Sequence, residues 1–268
     1  MKSPIALLFI TISLFTGIAV ADPVLLLRSP TVSADKLAFV YAGDIWVANR
    51  DGSSPQRLTS HPAEENGPVF SPDGKHIAFS AEYEDNTDTY VISSSGGQPQ
   101  RLTWHPSYDI PTGWTADGSA VTLVSPRETD HGRSAQLYHA FVRGGLPQKQ
   151  MEARIYRGAY DADNRYLAYI AHGSGYNGLF GGSAGWKGYR GGTTPEVQIM
   201  DLRKQTVTTI AGEGATNFNP FWLNGNVYFI SDRENETFNL YRYDPKSAVT
   251  SKVSNEAVWD VRSAAGHG

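Results

Sequence analysis

The chain has 268 residues, of which 40% are hydrophobic, 19% charged and 12% aromatic, with 27 Gly, 15 Pro and no Cys. That length and composition suit a turn-rich globular protein with a sizeable core, and the aromatic content favours pleated sheet. A net charge of −4, with no Lys/Arg run beyond two residues, argues against nucleic acid as a partner; the lack of Cys excludes a disulfide framework and any thiolate metal site.

At the N-terminus, Lys2 precedes an apolar run over residues 5–20, and Ala19-Val20-Ala21 has the small-x-small pattern that a signal peptidase needs. Residues 1–21 are therefore expected to be a cleaved secretory signal, with the mature chain starting at Asp22 and no stable membrane span left. The expected location is the periplasm or the cell exterior. An uncleaved anchor is the alternative, and the run is short for a span of about 20 residues.

The next stretch is repeated. Gln56-Arg57-Leu58-Thr59, His61-Pro62 and Asp73-Gly74 return 44 residues later as Gln100-Arg101-Leu102-Thr103, His105-Pro106 and Asp117-Gly118. Phe70, Ile77 and Phe79 keep register with Trp114, Val121 and Leu123. A period of this length fits four short antiparallel strands and their turns, a unit that cannot bury both of its faces alone, so copies must pack radially as the blades of a propeller. Strands are expected at residues 24–28, 36–41, 44–49 and 56–59 in blade one; at 68–70, 76–81, 89–93 and 100–103 in blade two; and at 112–114, 120–125, 136–142 and 144–148 in blade three.

Blade four starts near Ile155 and repeats the Asp73 hairpin as Asp163-Asn164, leading into Arg165-Tyr166-Leu167-Ala168-Tyr169. A glycine-dense insertion over residues 171–192 then interrupts the period, before strands resume at 196–202 and 205–210. An insertion into a regular array maps to a loop on one face, often the binding face. Blade five is expected at 221–222, 226–231, 239–244 and 250–253. A sixth unit begins at Val258-Trp259-Asp260-Val261. The fold class is thus all-β: a propeller of the six-bladed type over residues 22–268, with about five complete four-stranded blades and the start of a sixth.

The Ser-Pro-Asp-Gly hairpins and Gln-Arg-Leu-Thr strands resemble the repeat shared by TolB and tricorn protease propellers. Trp186-Lys187-Gly188-Tyr189-Arg190-Gly191-Gly192, followed by Pro195-Glu196-Val197-Gln198-Ile199-Met200-Asp201-Leu202, resembles the N-terminal six-bladed propeller of bacterial tricorn protease homologues, as does Asn219-Pro220-Phe221-Trp222. The resemblance implies a non-catalytic segment of an exported serine protease, acting in peptide gating, peptide binding or assembly, with peptides, a protein partner or other parts of a protease assembly as partners. The family's catalytic residues have no counterpart positions here, so no catalytic residue is expected. A free-standing TolB-like periplasmic interaction module is the alternative. A hydrolase using the propeller channel with a buried metal is a third reading.

The candidate binding residues are Trp186, Lys187, Tyr189 and Arg190 in the insertion, with Arg suited to a peptide carboxylate and the aromatics to contact area. His61 and His105 join them as matched loop positions, although a His that recurs from blade to blade usually makes a structural hydrogen bond. No cofactor and no metal site is expected. The acidic loops at Glu82, Glu84, Asp85 and Asp88, and at Asp161, Asp163 and Asn164, lack EF-hand spacing and read as turns. Gly181-Gly182-Ser183-Ala184-Gly185 matches a nucleophile elbow and residues 173–178 match a dinucleotide fingerprint, but both lack the helix those motifs require.

Overall fold

The computed structural model describes residues 26–129, 134–173, 188–191, 194–210, 212 and 214–267, and no helix occurs among them. The expected signal over residues 1–21 lies outside that range. Blade one comprises β1 (Arg28–Val32), β2 (Lys36–Tyr41), β3 (Asp44–Asn49) and β4 (Gln56–Arg57). Blade two comprises β5 (Glu65–Phe70), β6 (His76–Ala81), β7 (Asp88–Ser93) and β8 (Gln100–Arg101). In blade three these are β9 (Ile110–Trp114), β10 (Ala120–Ser125), β11 (Gln136–Phe141) and β12 (Gln148–Lys149). Blade four has β13 (Arg157–Tyr160), β14 (Tyr166–Ile170), β15 (Gln198–Asp201) and β16 (Thr206–Thr209). Blade five has β17 (Asn217–Leu223), β18 (Asn226–Ser231), β19 (Asn239–Asp244) and β20 (Val249–Lys252).

Each sheet is an antiparallel meander in chain order, and successive blades meet through their first strands, β1 with β5, β5 with β9, β9 with β13 and β13 with β17. The second and third strands lie between neighbouring blades and are buried on both faces: β10 is buried throughout, while β16, on the outer rim, is exposed throughout. Apolar packing is accordingly divided into four clusters, one per blade interface, with Ile77 and Phe79 between blades one and two, Val121 and Leu123 between two and three, Ile155 and Leu167 between three and four, and Phe229 and Phe238 between four and five. Radial packing therefore supplies the burial that a lone four-stranded sheet lacks.

The hairpin turns explain the repeated Asp-Gly pairs. Asp73 Oδ1 accepts from Ser71 Oγ at 2.6 Å and from Lys75 N at 3.0 Å, while Gly74 takes φ +69°. Asp117 is bonded likewise by Thr115 and Ser119, and these bonds lower its pKa to about 2. In blade four the capping shifts position: Asp161 Oδ1, not Asp163, accepts from Arg165 N and Tyr166 N at 2.7 and 2.8 Å, and Asn164 takes the positive φ.

Several expected strands move. The first is β1 at Arg28–Val32, not residues 24–28, because Ser33 N donates to Lys36 O across a tight hairpin that fixes the register of β1 on β2. Leu26 and Leu27 are left exposed. Inner strands of blades two and five begin earlier than expected, at Glu65 and Asn217, because they continue through a proline by bulging at Gly67-Pro68 and Asn219-Pro220. β1 bulges in the same way at Ser29-Pro30. Proline is tolerated there because the inner strand is a sheet edge with no outward ladder to donate to. The expected sixth unit forms no strand. Val261 N donates to Phe238 O and Asp260 Oδ1 accepts from Phe238 N, so this segment lies on blade five with no described strand to pair with.

Candidate binding face and central cavity

A four-stranded meander puts its second-to-third loops and its connections to the next blade on one face. That face carries the loops at residues 58–64, 82–87 and 102–109 and the described residues 188–191 between β14 and β15. The repeated Gln-Arg-Leu-Thr segments latch it together. Arg57 pairs with Asp44 at 2.8 Å and Arg101 with Asp88 at 2.6 Å, while each Arg Nε donates to the carbonyl of Thr59 or Thr103. The same threonines accept, through Oγ1, from the N–H groups of the second residues of the third strands, Ile45 at 2.9 Å and Thr89 at 3.0 Å.

A second brace ties each loop after the second strand to the start of the inner strand. Tyr83 Oη donates to Glu65 Oε1 at 2.6 Å, Arg127 bonds both oxygens of Asp109 at 2.7 Å, and Arg233 donates to Asn217 Oδ1 at 3.2 Å. Glu65 is fully buried and also accepts from Thr59 Oγ1 and Ile45 N, so one carboxylate joins blades one and two. Burial pushes the Glu65 and Asp88 carboxyls up despite these donors, and pushes the Tyr83 phenol up as well. Blade four breaks the series, with Tyr156 just before β13 in place of the acidic or amide partner.

The sequence-derived candidates scatter over this face. His61 Nδ1 accepts from Ala63 N and His105 Nδ1 from Ser107 N, both at 3.1 Å, so both imidazoles close their own turns; His61 also packs on Tyr83 with ring centroids 4.0 Å apart. Trp186 and Lys187, like residues 181–185 and 174–178 of the two motifs, lie outside the described residues. Tyr189 is half-buried with its ring over Gly191, where a Cβ would come within 2.0 Å of the phenol oxygen. Arg190 does not present an open guanidinium: it donates to Asp232 Oδ2 at 2.8 Å and Asp232 O at 3.2 Å, and Asp232 is fully buried and accepts from Thr216 N. Arg190 thus pins the insertion to blade five. The acidic loops are similarly engaged, with Glu84 and Asp88 on Arg101, Glu82 on Thr87, and Asp161 in its hairpin.

What these candidates leave out is the axis. A cavity of about 1420 Å³ runs between the inner strands β1, β5, β9, β13 and β17, from Ile170 on the latched face to Pro72 and Ala116 on the other, with residues 262–267 completing the wall beside Phe221 and Leu223. Its described lining carries four cations, Arg28, Arg157, Lys246 and Arg262, against the carboxylates Asp161 and Asp163. Arg28 and Arg157 occupy matching positions, paired to Val40 and Ile170 near the end of each second strand. The sequence does hold a signal for this layer: three of the other four inner strands place a proline two residues after the matching position and β9 places one directly after it, whereas β13 has none and pairs without a bulge.

A ring of four-stranded meanders around an axial cavity is a β-propeller, and the family described as the tricorn protease N-terminal beta propeller domain matches residues 24–268. The chain belongs to this family. Among its relatives, a tricorn protease homolog of Saccharolobus solfataricus is 25% identical over 244 residues, covering 89% of this chain and 22% of the relative. Tricorn protease homolog 1 of Streptomyces coelicolor is 28% identical over 211 residues, covering 78% and 19% respectively. The chain spans about a fifth of the length of these relatives. Of solved structures, the tricorn protease superposes with a TM-score of 0.73 at 20% identity, covering 87% of this chain and 23% of that one. A putative TolB from Agrobacterium tumefaciens gives 0.64 at 19%, covering 85% and 80%. Both likenesses are of fold. The chain is a propeller domain of a peptidase family.

Proposed function

We propose that this chain is the propeller segment of an exported tricorn-like serine protease and that it binds or restricts peptides along its axial cavity. The observation that carries the reading is the family match over residues 24–268 joined to a cavity open through the depth of the ring. Its wall consists of inner-strand edges, and two of its arginines suit carboxylate groups. Partners are peptides and the other domains or chains of a protease assembly, and export follows from the signal pattern over residues 1–21.

This sequence has no Cys of its own, so single Cys variants of it, compared with the unsubstituted protein treated alike, give a direct test. Ala159 lines the cavity and Thr209 lies exposed on the outer rim, so Ala159→Cys and Thr209→Cys can each be coupled to a bulky maleimide in the protease assembly. The adduct at position 159 should lower peptide turnover about tenfold or more, in line with the cost of occluding a binding site, and the adduct at 209 should leave it unchanged. Equal turnover for the two adducts would remove the axial route.

A further inference from the structure

Arg157 differs from the arginines that brace the ring. Arg57, Arg101, Arg127, Arg190 and Arg233 all bond a carboxylate or amide oxygen. Arg157, half-buried in the cavity wall, has no hydrogen-bond or ion-pair partner among the described residues, and burial lowers its pKa. Its neighbours Tyr156 and Tyr160 are in the same dry surroundings, with burial raising both phenols, Tyr160 to about 12. A desolvated cation costs stability unless a counter-charge meets it, and no described residue supplies one to Arg157.

The rest of the wall has the same sign. Arg28, in the matching position of β1, has only a loose contact with Glu64 at 3.9 Å, with both side chains largely exposed. Four lining cations face two carboxylates, in a chain whose net charge is −4. Of the two acids, Asp161 is occupied by Arg165 N and Tyr166 N at the far end of β13. The half of the cavity nearer the latched face therefore offers an anion two guanidinium groups and no described carboxylate among its lining residues.

Resting on the peptide reading above, we infer that the axial cavity selects anionic peptides, and that Arg157 is the specificity residue, pairing its guanidinium with a carboxylate of the bound chain. The carboxylate comes from an acidic side chain or from the peptide C-terminus, and Arg28 adds long-range attraction. A planar guanidinium that no described residue bonds suits bidentate pairing with either source, and desolvation in the wall strengthens that pairing.

The test is fluorescence anisotropy on the full chain, using a short peptide of alternating Glu and Ala carrying a neutral dye, its Gln-for-Glu counterpart, and C-terminally amidated forms of both. The acidic peptide should bind about tenfold or more tighter than the Gln peptide if side chains supply the carboxylate; amidation should cost a similar factor if the terminus does. Arg157→Gln should abolish the preference, and Arg157→Lys should keep part of it. Arg157→Gln should also melt higher than wild type, because an unpaired cation has been removed; this separates ligand selection from a supporting role in the fold, for which the variant would melt lower. If the acidic preference persists in a folded Arg157→Gln variant, or if acidic, neutral and amidated peptides bind equally, the inference fails while peptide binding stands. If no peptide binds at all, both fail.

Discussion

Blades two and four are built on the same meander and held by different means. In blade two, Arg101 closes on Asp88, Thr103 caps the third strand, Glu65 gathers Tyr83, Thr59 and the backbone of blade one, and the inner strand bulges at Gly67-Pro68. Among the described residues blade four has none of these on the same face: Gln198 starts its third strand, Tyr156 precedes its inner strand, and β13 runs without a bulge. The ion pair within the blade, Arg165 with Asp201 at 3.4 Å, lies on the opposite face, and on the latched face Arg190 of its insertion pairs instead with Asp232 of blade five. The contrast teaches that the polar braces are not needed for the meander itself, since apolar interfaces hold blade four on both sides. Where the repeated braces stop, the long insertion appears, with Arg157 beside it lacking a partner among the described residues.

The largest effect expected on that comparison comes from Asp88→Ala, which leaves the mostly buried Arg101 with only the exposed Glu84 carboxylate and removes the bond to Thr103; urea unfolding should show a loss of about 2 kcal/mol. Asp201→Ala in blade four should cost less, since Arg165 is more exposed and its contact longer. Equal losses would mean that the latch carries no more than an ordinary surface pair. Tyr83→Phe removes a single donor from the buried Glu65 and is expected to cost about 1 kcal/mol.

The pH dependence separates the two blades in another way. Burial raises the folded-state pKa of Glu65 above its ordinary 4.5, so the folded protein holds that proton more tightly than the unfolded chain does. Its contribution is complete below pH 4.5 and is lost as pH rises through the folded value. Glu65→Gln should flatten this fall in a series of unfolding curves taken upward from that pH; an unchanged slope would place the titration elsewhere. Smallest of all is Gly118→Ala, where φ +68° disfavours a side chain and about 1 kcal/mol or less should be lost in melting experiments.

The second and third strands were legible because their residues alternate toward two apolar neighbours: β2, β3, β6, β10, β18 and β19 lie where their patterns place them. Turns were legible for a different reason, since Asp73-Gly74 and Asp117-Gly118 carry their conformation in their own chemistry. Inner-strand limits were hidden by Pro68 and Pro220, which read as strand ends until the bulge that accommodates them is seen. The site was less legible still. Arg190 in a loop of aromatics has the composition of a binding residue, yet its partner Asp232 is 42 residues away in sequence and only the fold brings them together. Arg157 has the reverse history, since nothing in Tyr156-Arg157-Gly158 marks it until the cavity and the lack of a partner are known.

The most direct measurement is a crystal structure of the chain with the acidic Glu/Ala peptide bound. The account predicts peptide density inside the ring, with a carboxylate within hydrogen-bond distance of the Arg157 guanidinium and Arg190 still on Asp232. Peptide bound on the outer rim, or across the insertion with Arg190 released from Asp232 and Arg157 untouched, would contradict it.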